Sequence, residues 1–174
     1  MKQEEIERRM REGRNSLKPL IEEETDYQSD QDLKKPQPPL VKEAMTSNII
    51  ALPTDFEHLT IDNDFLHVIN TRQSHRVYTQ QKMSLLELSY LLWCTQGVKE
   101  IRGKSYATLR TVPCGGARHE FECYMVIQNV DGLKDGYYHY LPMHHQIEML
   151  KEDNDLHDFI SVSLQKQDWA CKAN

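Results

Sequence analysis

The clearest periodic stretch runs over residues 84–97, where Leu85, Leu88, Leu91, Leu92 and Trp93 recur at helical spacing. Ser84 and Glu87 form a capping box at its start, and Gly97 stands where such a helix ends. The pattern predicts a core helix, with Cys94 inside it as a small buried hydrophobe. Further on the apolar positions are continuous: Cys123-Tyr124-Met125-Val126-Ile127 predicts a buried strand within residues 121–129. Tyr137-Tyr138-His139-Tyr140-Leu141 predicts a second strand, and Gln146-Ile147-Glu148-Met149-Leu150 a short third one after a turn at residues 142–145. Phe65, Leu66 and Ile69 share one face of a short helix that Asp62 or Asn63 can cap. Residues 155–165 predict an amphipathic helix capped near Asn154, and residues 167–173 begin a further helical pattern.

Patterning is weaker before residue 49. Residues 2–14 are helix formers with acids early and bases late, which suits the helix dipole, but Ile6 and Met10 give only a thin apolar stripe. Such a helix is expected as a solvated arm or a dimer-embracing appendage. Residues 22–47 are poor in large apolar side chains, acidic at residues 22–26 and interrupted by Pro36, Pro38 and Pro39, so they predict an extended connector. The expected organisation is therefore residues 1–48 as helix and connector and residues 49–174 as the ordered domain.

Charge narrows the function. The 174 residues carry a formal net charge of −6, which argues against a nucleic-acid groove but leaves room for a small anion on a local basic patch. Cys94, Cys114, Cys123 and Cys171 make no Cys-x-x-Cys pair, so neither a zinc ribbon nor a dithiol motif is expected. The charged N-terminus and the lack of a long apolar run predict a soluble, cytoplasmic protein with reduced thiols and no membrane contact.

Two stretches carry candidate chemistry. Arg72-Gln73-Ser74-His75-Arg76 places two guanidiniums and a hydroxyl within a few residues, and arginine forks suit phosphate oxygens. In Arg110-Thr111-Val112-Pro113-Cys114-Gly115-Gly116-Ala117-Arg118-His119, proline fixes one backbone angle and two glycines let the backbone approach a flat or anionic ligand. Cys114 with His119 as its base is a second chemical reading, though nothing in the sequence fixes a third orienting group. His139, His144 and His145 have no carboxylate or cysteine at a metal-ligand spacing, so no metal is expected.

Four features in this order resemble the nitroreductase-like flavoproteins, in the branch of dehydrogenases and oxidases acting on thiazoline or oxazoline rings of modified peptides. They are Arg72-x-Ser74-x-Arg76, the helix from Leu85 to Val98 with its Leu91-Leu92-Trp93 run, the loop from Pro113 to His119, and Gly136-Tyr137-Tyr138-His139-Tyr140. The resemblance begins at residue 49 and matches the N-terminal half of the family domain. It implies an α+β fold, a central mainly antiparallel sheet wrapped by helices, and a homodimer with FMN in its interface. By the same resemblance Arg72, Gln73, Ser74 and Arg76 hold the flavin phosphate and ribityl chain, and Pro113, Cys114, Gly115, Gly116 and Ala117 lie along the flavin ring of the partner subunit. Hydride transfer through flavin N5, from a nicotinamide or from a small-molecule or modified-peptide substrate, is the implied reaction, and it needs no protein nucleophile. Cys114 replaces the family's usual serine, and Glu120 stands where proline often follows the histidine. The family's second half has no counterpart here, so an incomplete fold with open strand edges is expected, and with it a truncated member of weak or no activity. A non-catalytic, dimerising or partner-binding remnant is the alternative.

Overall fold

The structure is a computed structural model that describes residues 3–17, 28–165 and 167–174; the acidic residues 22–26 of the expected connector lie outside these. The chain divides into two compact units, Met1–Pro38 and Pro39–Asn174. In the first, helix α1 (Gln3–Ser16) buries no residue and is laced by exposed pairs of Arg8 with Glu5 and Glu12 and of Arg9 with Glu5. Its register of opposite charges three and four residues apart is what holds a helix with so thin an apolar stripe.

The second unit is built on a four-stranded antiparallel sheet of β1 (Ile49–Ala51), β6 (Gln146–Glu152), β5 (Gly136–Leu141) and β4 (Tyr124–Ile127), in that spatial order. Helix α2 (Phe65–Thr71) and helix α3 (Leu85–Gln96) lie between β1 and the remaining strands in sequence, and α4 (His157–Ser163) follows β6. The three predicted strands and the capped helix are present, and the molecule is an α+β fold. Both capping-box bonds form: the Glu87 backbone N–H reaches the Ser84 hydroxyl at 3.2 Å and the Glu87 carboxylate accepts the Ser84 N–H at 2.7 Å. Gly136 sits where β5 meets β6 so closely that a β-carbon would come within 2.2 Å of the Lys151 carbonyl, so only glycine fits there.

The two faces of the sheet do different work. Leu88 and Leu92 of α3 pack with Leu52, Ile127, Val130, Tyr138, Tyr140 and Ile147 into the apolar core. On the other face, register places His139 opposite both Tyr124 and Glu148. Glu148 is wholly buried, and its carboxylate accepts the backbone N–H groups of Met45 and Thr46 at 2.8 and 2.7 Å and faces His139 Nδ1 at 2.8 Å. His139 Nε2 lies 3.1 Å from Glu122, whose other oxygen accepts the Lys42 N–H at 3.0 Å. The Tyr124 ring stacks on His139 with centroids 4.7 Å apart, and the Lys42 ammonium donates to the Tyr124 hydroxyl at 2.8 Å. Ionised carboxylates only accept, so His139 satisfies both when it carries both ring protons. Burial alone would raise Glu148, yet the bonds from His139, Thr46 and Met45 together hold its carboxyl below the usual glutamate range. These bonds tie residues 42–46 across the sheet.

A second polar network sits inside the apolar core. His145 Nε2 lies 2.7 Å from the hydroxyl of Ser89, which donates to the Pro53 carbonyl, and Nδ1 lies 2.7 Å from the Tyr140 hydroxyl. Since Ser89 spends its proton on Pro53, His145 donates through Nε2 and accepts from Tyr140 at Nδ1, which describes a neutral imidazole. The rings of Phe56, Trp93 and Tyr140 stand nearly perpendicular to it, and burial pushes its pKa below the ordinary histidine value.

Several expectations require correction. Asp64, not Asp62 or Asn63, caps α2: its side chain accepts the His67 N–H, while Asp62 pairs with the His67 ring. The apolar face of α2 is largely exposed, with Phe65 77% and Leu66 68% accessible. Cys94 is exposed, because α3 carries apolar residues around more of its circumference than the sheet covers. The N-cap position of α4 is Leu156, without a side-chain capping bond, and only residues 170–172 of the final pattern form a short 3-10 turn. Residues 98–110, for which no element is predicted, form a separate hairpin of β2 (Val98–Arg102) and β3 (Ala107–Arg110).

Glu148→Gln removes the buried charge but keeps the shape, and we expect a loss of about 3 kcal/mol, read as a lower urea midpoint. A histidine whose folded pKa is depressed leaves the unfolded chain binding more protons, so the His145 contribution is complete above pH about 6.5 and is lost as the pH falls below it. Urea midpoints taken from pH 7 down to pH 5 should therefore fall, and fall less steeply in His145→Gln.

Candidate functional site

The arginine segment begins where α2 ends. The Arg72 N–H closes the last turn on the Val68 carbonyl at 2.9 Å, and residues 72–79 then run on irregularly. Arg72, Gln73, Ser74 and Arg76 are all exposed, and among the described residues neither guanidinium has an ion-pair partner. Arg76 is nevertheless held: its guanidinium lies 5.7 Å from the centre of the Trp169 ring, which itself lies parallel to Tyr78 with centroids 6.3 Å apart. Two exposed arginines without an ion-pair partner among the described residues, together with a hydroxyl, suit a phosphate on an acidic chain.

The glycine bend has a different character. Cys114 is extended, Gly115–Ala117 forms a short 3-10 turn, and Gly116 lies in the left-handed region at φ 63°. Ala117 and His119 share that region at φ 54° and 49°, an uncommon conformation for residues with a β-carbon. Gly115 has no positive φ, and a β-carbon there would meet nothing within 4 Å. Its chain needs no glycine at that point, and the space beside it is open to a flat ligand lying close against the backbone. The predicted cofactor residues thus fit FMN in kind: exposed guanidiniums without ion-pair partners among the described residues in one segment, bare backbone in the other. Within one chain no hydrogen bond or ion pair among the described residues joins 72–76 to 113–117.

The thiol–imidazole pair is not assembled. The Cys114 sulfur lies 3.4 Å from a Glu120 carboxylate oxygen and accepts the His119 backbone N–H at 3.2 Å; the His119 ring is not among its partners. Glu120 is held below the usual carboxylate range by its own backbone N–H and then by the Cys114 thiol. Burial, followed by the Arg110 charge, pushes the His119 imidazole down.

Arg110 is a residue that sequence reasoning passed over, though it opens the loop. It is buried at the end of β3, with Nε donating to the Thr108 hydroxyl at 3.2 Å and Nη1 to the Gln96 side-chain oxygen at 2.9 Å. Its one sequence signal is an arginine two residues after Thr108 on the inward side of a short strand. Separately, a cleft of about 820 Å³ lies beside α2 and α3, lined by Ile61, Val68, Thr79, Lys82, Tyr90 and Leu91 among others, and it includes none of the predicted cofactor residues. Among the described residues no cluster of three histidine, cysteine or acidic side chains could hold a metal, and no helix is long and apolar enough to cross a membrane.

No protein-family model matches the chain. Among curated proteins it is 31% identical over 117 residues to "Putative nitroreductase MJ1384" of Methanocaldococcus jannaschii, a match covering 67% of this chain and 54% of that protein. The chain thus spans about half the length of the curated relative it matches. Among solved structures, a "putative nitroreductase" from Ralstonia eutropha JMP134 aligns with a TM-score of 0.48 and 26% identity, over 71% of this chain and 52% of that one. The sequence relationship supports a nitroreductase-like fold for this α+β chain.

Proposed function

We propose that the chain is a subunit of an FMN-dependent oxidoreductase of the nitroreductase type, working as a homodimer in the cytoplasm. Arg72, Gln73, Ser74 and Arg76 of one copy would grip the phosphate and ribityl chain, while Pro113, Cys114, Gly115, Gly116 and Ala117 of the second copy would lie against the ring. The observation that carries this reading is the pairing of two guanidiniums, without ion-pair partners among the described residues, and a glycine bend that is open where a ring would lie, in a chain similar in sequence to "Putative nitroreductase MJ1384". The exposed apolar face of α2 at Phe65, Leu66 and Ile69 supports a second copy as the surface it meets.

FMN, when bound, supplies hydride acceptance and release at its N5. The protein's own tasks are to anchor the phosphate, to orient the ring and to shape what approaches it. No protein nucleophile is required, and the commitment of the Cys114 thiol to Glu120 rather than to the His119 ring speaks against one. The reading takes a nicotinamide or the substrate itself as hydride donor, and a small molecule or a modified peptide as substrate.

Purified protein heated to release small molecules should yield FMN fluorescence in the supernatant, and reduced nicotinamide should bleach the yellow holoprotein. Arg72→Ala with Arg76→Ala is expected to lower FMN retention about tenfold or more, since each removes charge-assisted bonds to a dianion; unchanged occupancy would refute the assignment. A folded, colourless dimer would favour the non-catalytic alternative. Gly115→Val should leave the urea midpoint within about 0.5 kcal/mol of the parent and yet lose FMN, whereas Gly116→Ala should cost about 1 kcal/mol through its left-handed backbone.

A further inference from the structure

Once the Arg72 N–H has closed α2, no backbone hydrogen bond among the described residues fixes residues 73–78. What meets this segment is a ring far along the chain. The Arg76 guanidinium lies over Trp169 at 5.7 Å from the ring centre, and the Tyr78 ring is parallel to the same indole within 2°. Trp169 is held in turn from the side of α4. Asp168, just before it, accepts the Ser161 hydroxyl at 2.9 Å, and Cys171, two residues after it, is buried with its thiol donating to the His157 carbonyl at 3.9 Å.

The kind of partner decides what Arg76 is still able to do. A carboxylate in that place would fix the guanidinium and cancel its charge in the same act. An indole attracts the cation through its quadrupole, brings no negative charge and offers no oxygen to take up the N–H donors. Arg76 is therefore steadied and yet remains a full cation on an acidic chain. Among the described residues Arg72 has no such ring beside it. We infer that Trp169 is a positioning residue for phosphate binding: it presents Arg76, held but not neutralised, to the phosphate monoester of the bound ligand. This rests on the FMN reading above, which names the ligand, and adds to it a residue that acts through Arg76. The two arginines are unequal on this account, because Arg76 depends on Trp169 and Arg72 does not.

The test titrates the full chain, freed of flavin, with FMN and with riboflavin, which lacks the phosphate, and reads each dissociation constant from flavin fluorescence. Trp169→Leu should weaken FMN about fivefold and leave riboflavin unchanged, while Trp169→Phe, which keeps a ring, should stay within about twofold of the parent. In an Arg76→Ala background Trp169→Leu should cost nothing further. In an Arg72→Ala background it should cost the same factor as in the parent, a contrast that general loosening of residues 167–174 would not produce. An unchanged FMN affinity in Trp169→Leu, an equal loss in Trp169→Phe, equal losses with FMN and riboflavin, or the same loss with and without Arg76 overturns the inference. Should Trp169→Leu not fold, Trp169→Gln, which also lacks a ring, carries the same cycle; loss of the fold in both overturns the inference by marking the indole as structural. Failure of the FMN reading looks different: the parent then binds neither flavin, and the present inference falls with it.

Discussion

A carboxylate taken wholly out of water has to be answered on every lone pair, and Glu148 is the point where this fold meets that demand. Two backbone N–H groups from residues 45 and 46 and one ring nitrogen of His139 converge on it, and His139 in turn reaches Glu122. The arrangement requires β5 and β6 to pair in one register, because a slip by one residue would carry Glu148 into the apolar core and Ile147 out of it. The same bonds hold a segment with few apolar side chains flat against the sheet. Register, sheet coverage and the entry of the chain into β1 therefore follow from one buried acid.

The opposite face obeys a different rule. There the core is apolar, and the polar cluster inside it is closed: Tyr140 gives to His145, His145 to Ser89, and Ser89 to Pro53. Although serine beside histidine invites a catalytic reading, Ser89 is fully buried and its proton is spent on a carbonyl, so the cluster joins β5, α3 and the chain after β1. The chemistry proposed for this protein belongs instead to exposed segments, the run after α2 and the bend after β3. Regular elements deliver both.

What was legible in the sequence was local. The capping box of α3 and the apolar runs of β4, β5 and β6 depend on neighbours a few residues away, and they appear where the pattern puts them. The β2–β3 hairpin was not legible because Lys99, Glu100 and Arg102 interrupt its apolar alternation and its turn relies on Gly103 and Ser105 at positive φ rather than on a recognised turn pair. Asp64 won the α2 cap from two equally qualified neighbours through backbone geometry that composition does not encode. The partners of His139 and the burial of Arg110 against Thr108 and Gln96 are facts of register and packing, so no spacing along the chain announces them. The residues of the proposed site were legible as types, two arginines and two glycines, but not the Trp169 ring beneath Arg76.

That ring belongs to a segment fastened at more than one place. Gln128 donates to the carbonyls of Cys171 and Ala173, and Asn174 donates to the carbonyl of Asn129, so the indole that faces Arg76 is anchored to the end of β4. A long, flexible side chain ordinarily gives up many rotamers when it grasps an anion. Here much of that loss is taken in advance, by a plane of atoms supplied from far along the polypeptide. The readiness of the arginine is thus set by how firmly a distant stretch is stitched down, and loosening those stitches would blunt the grasp without touching the hand.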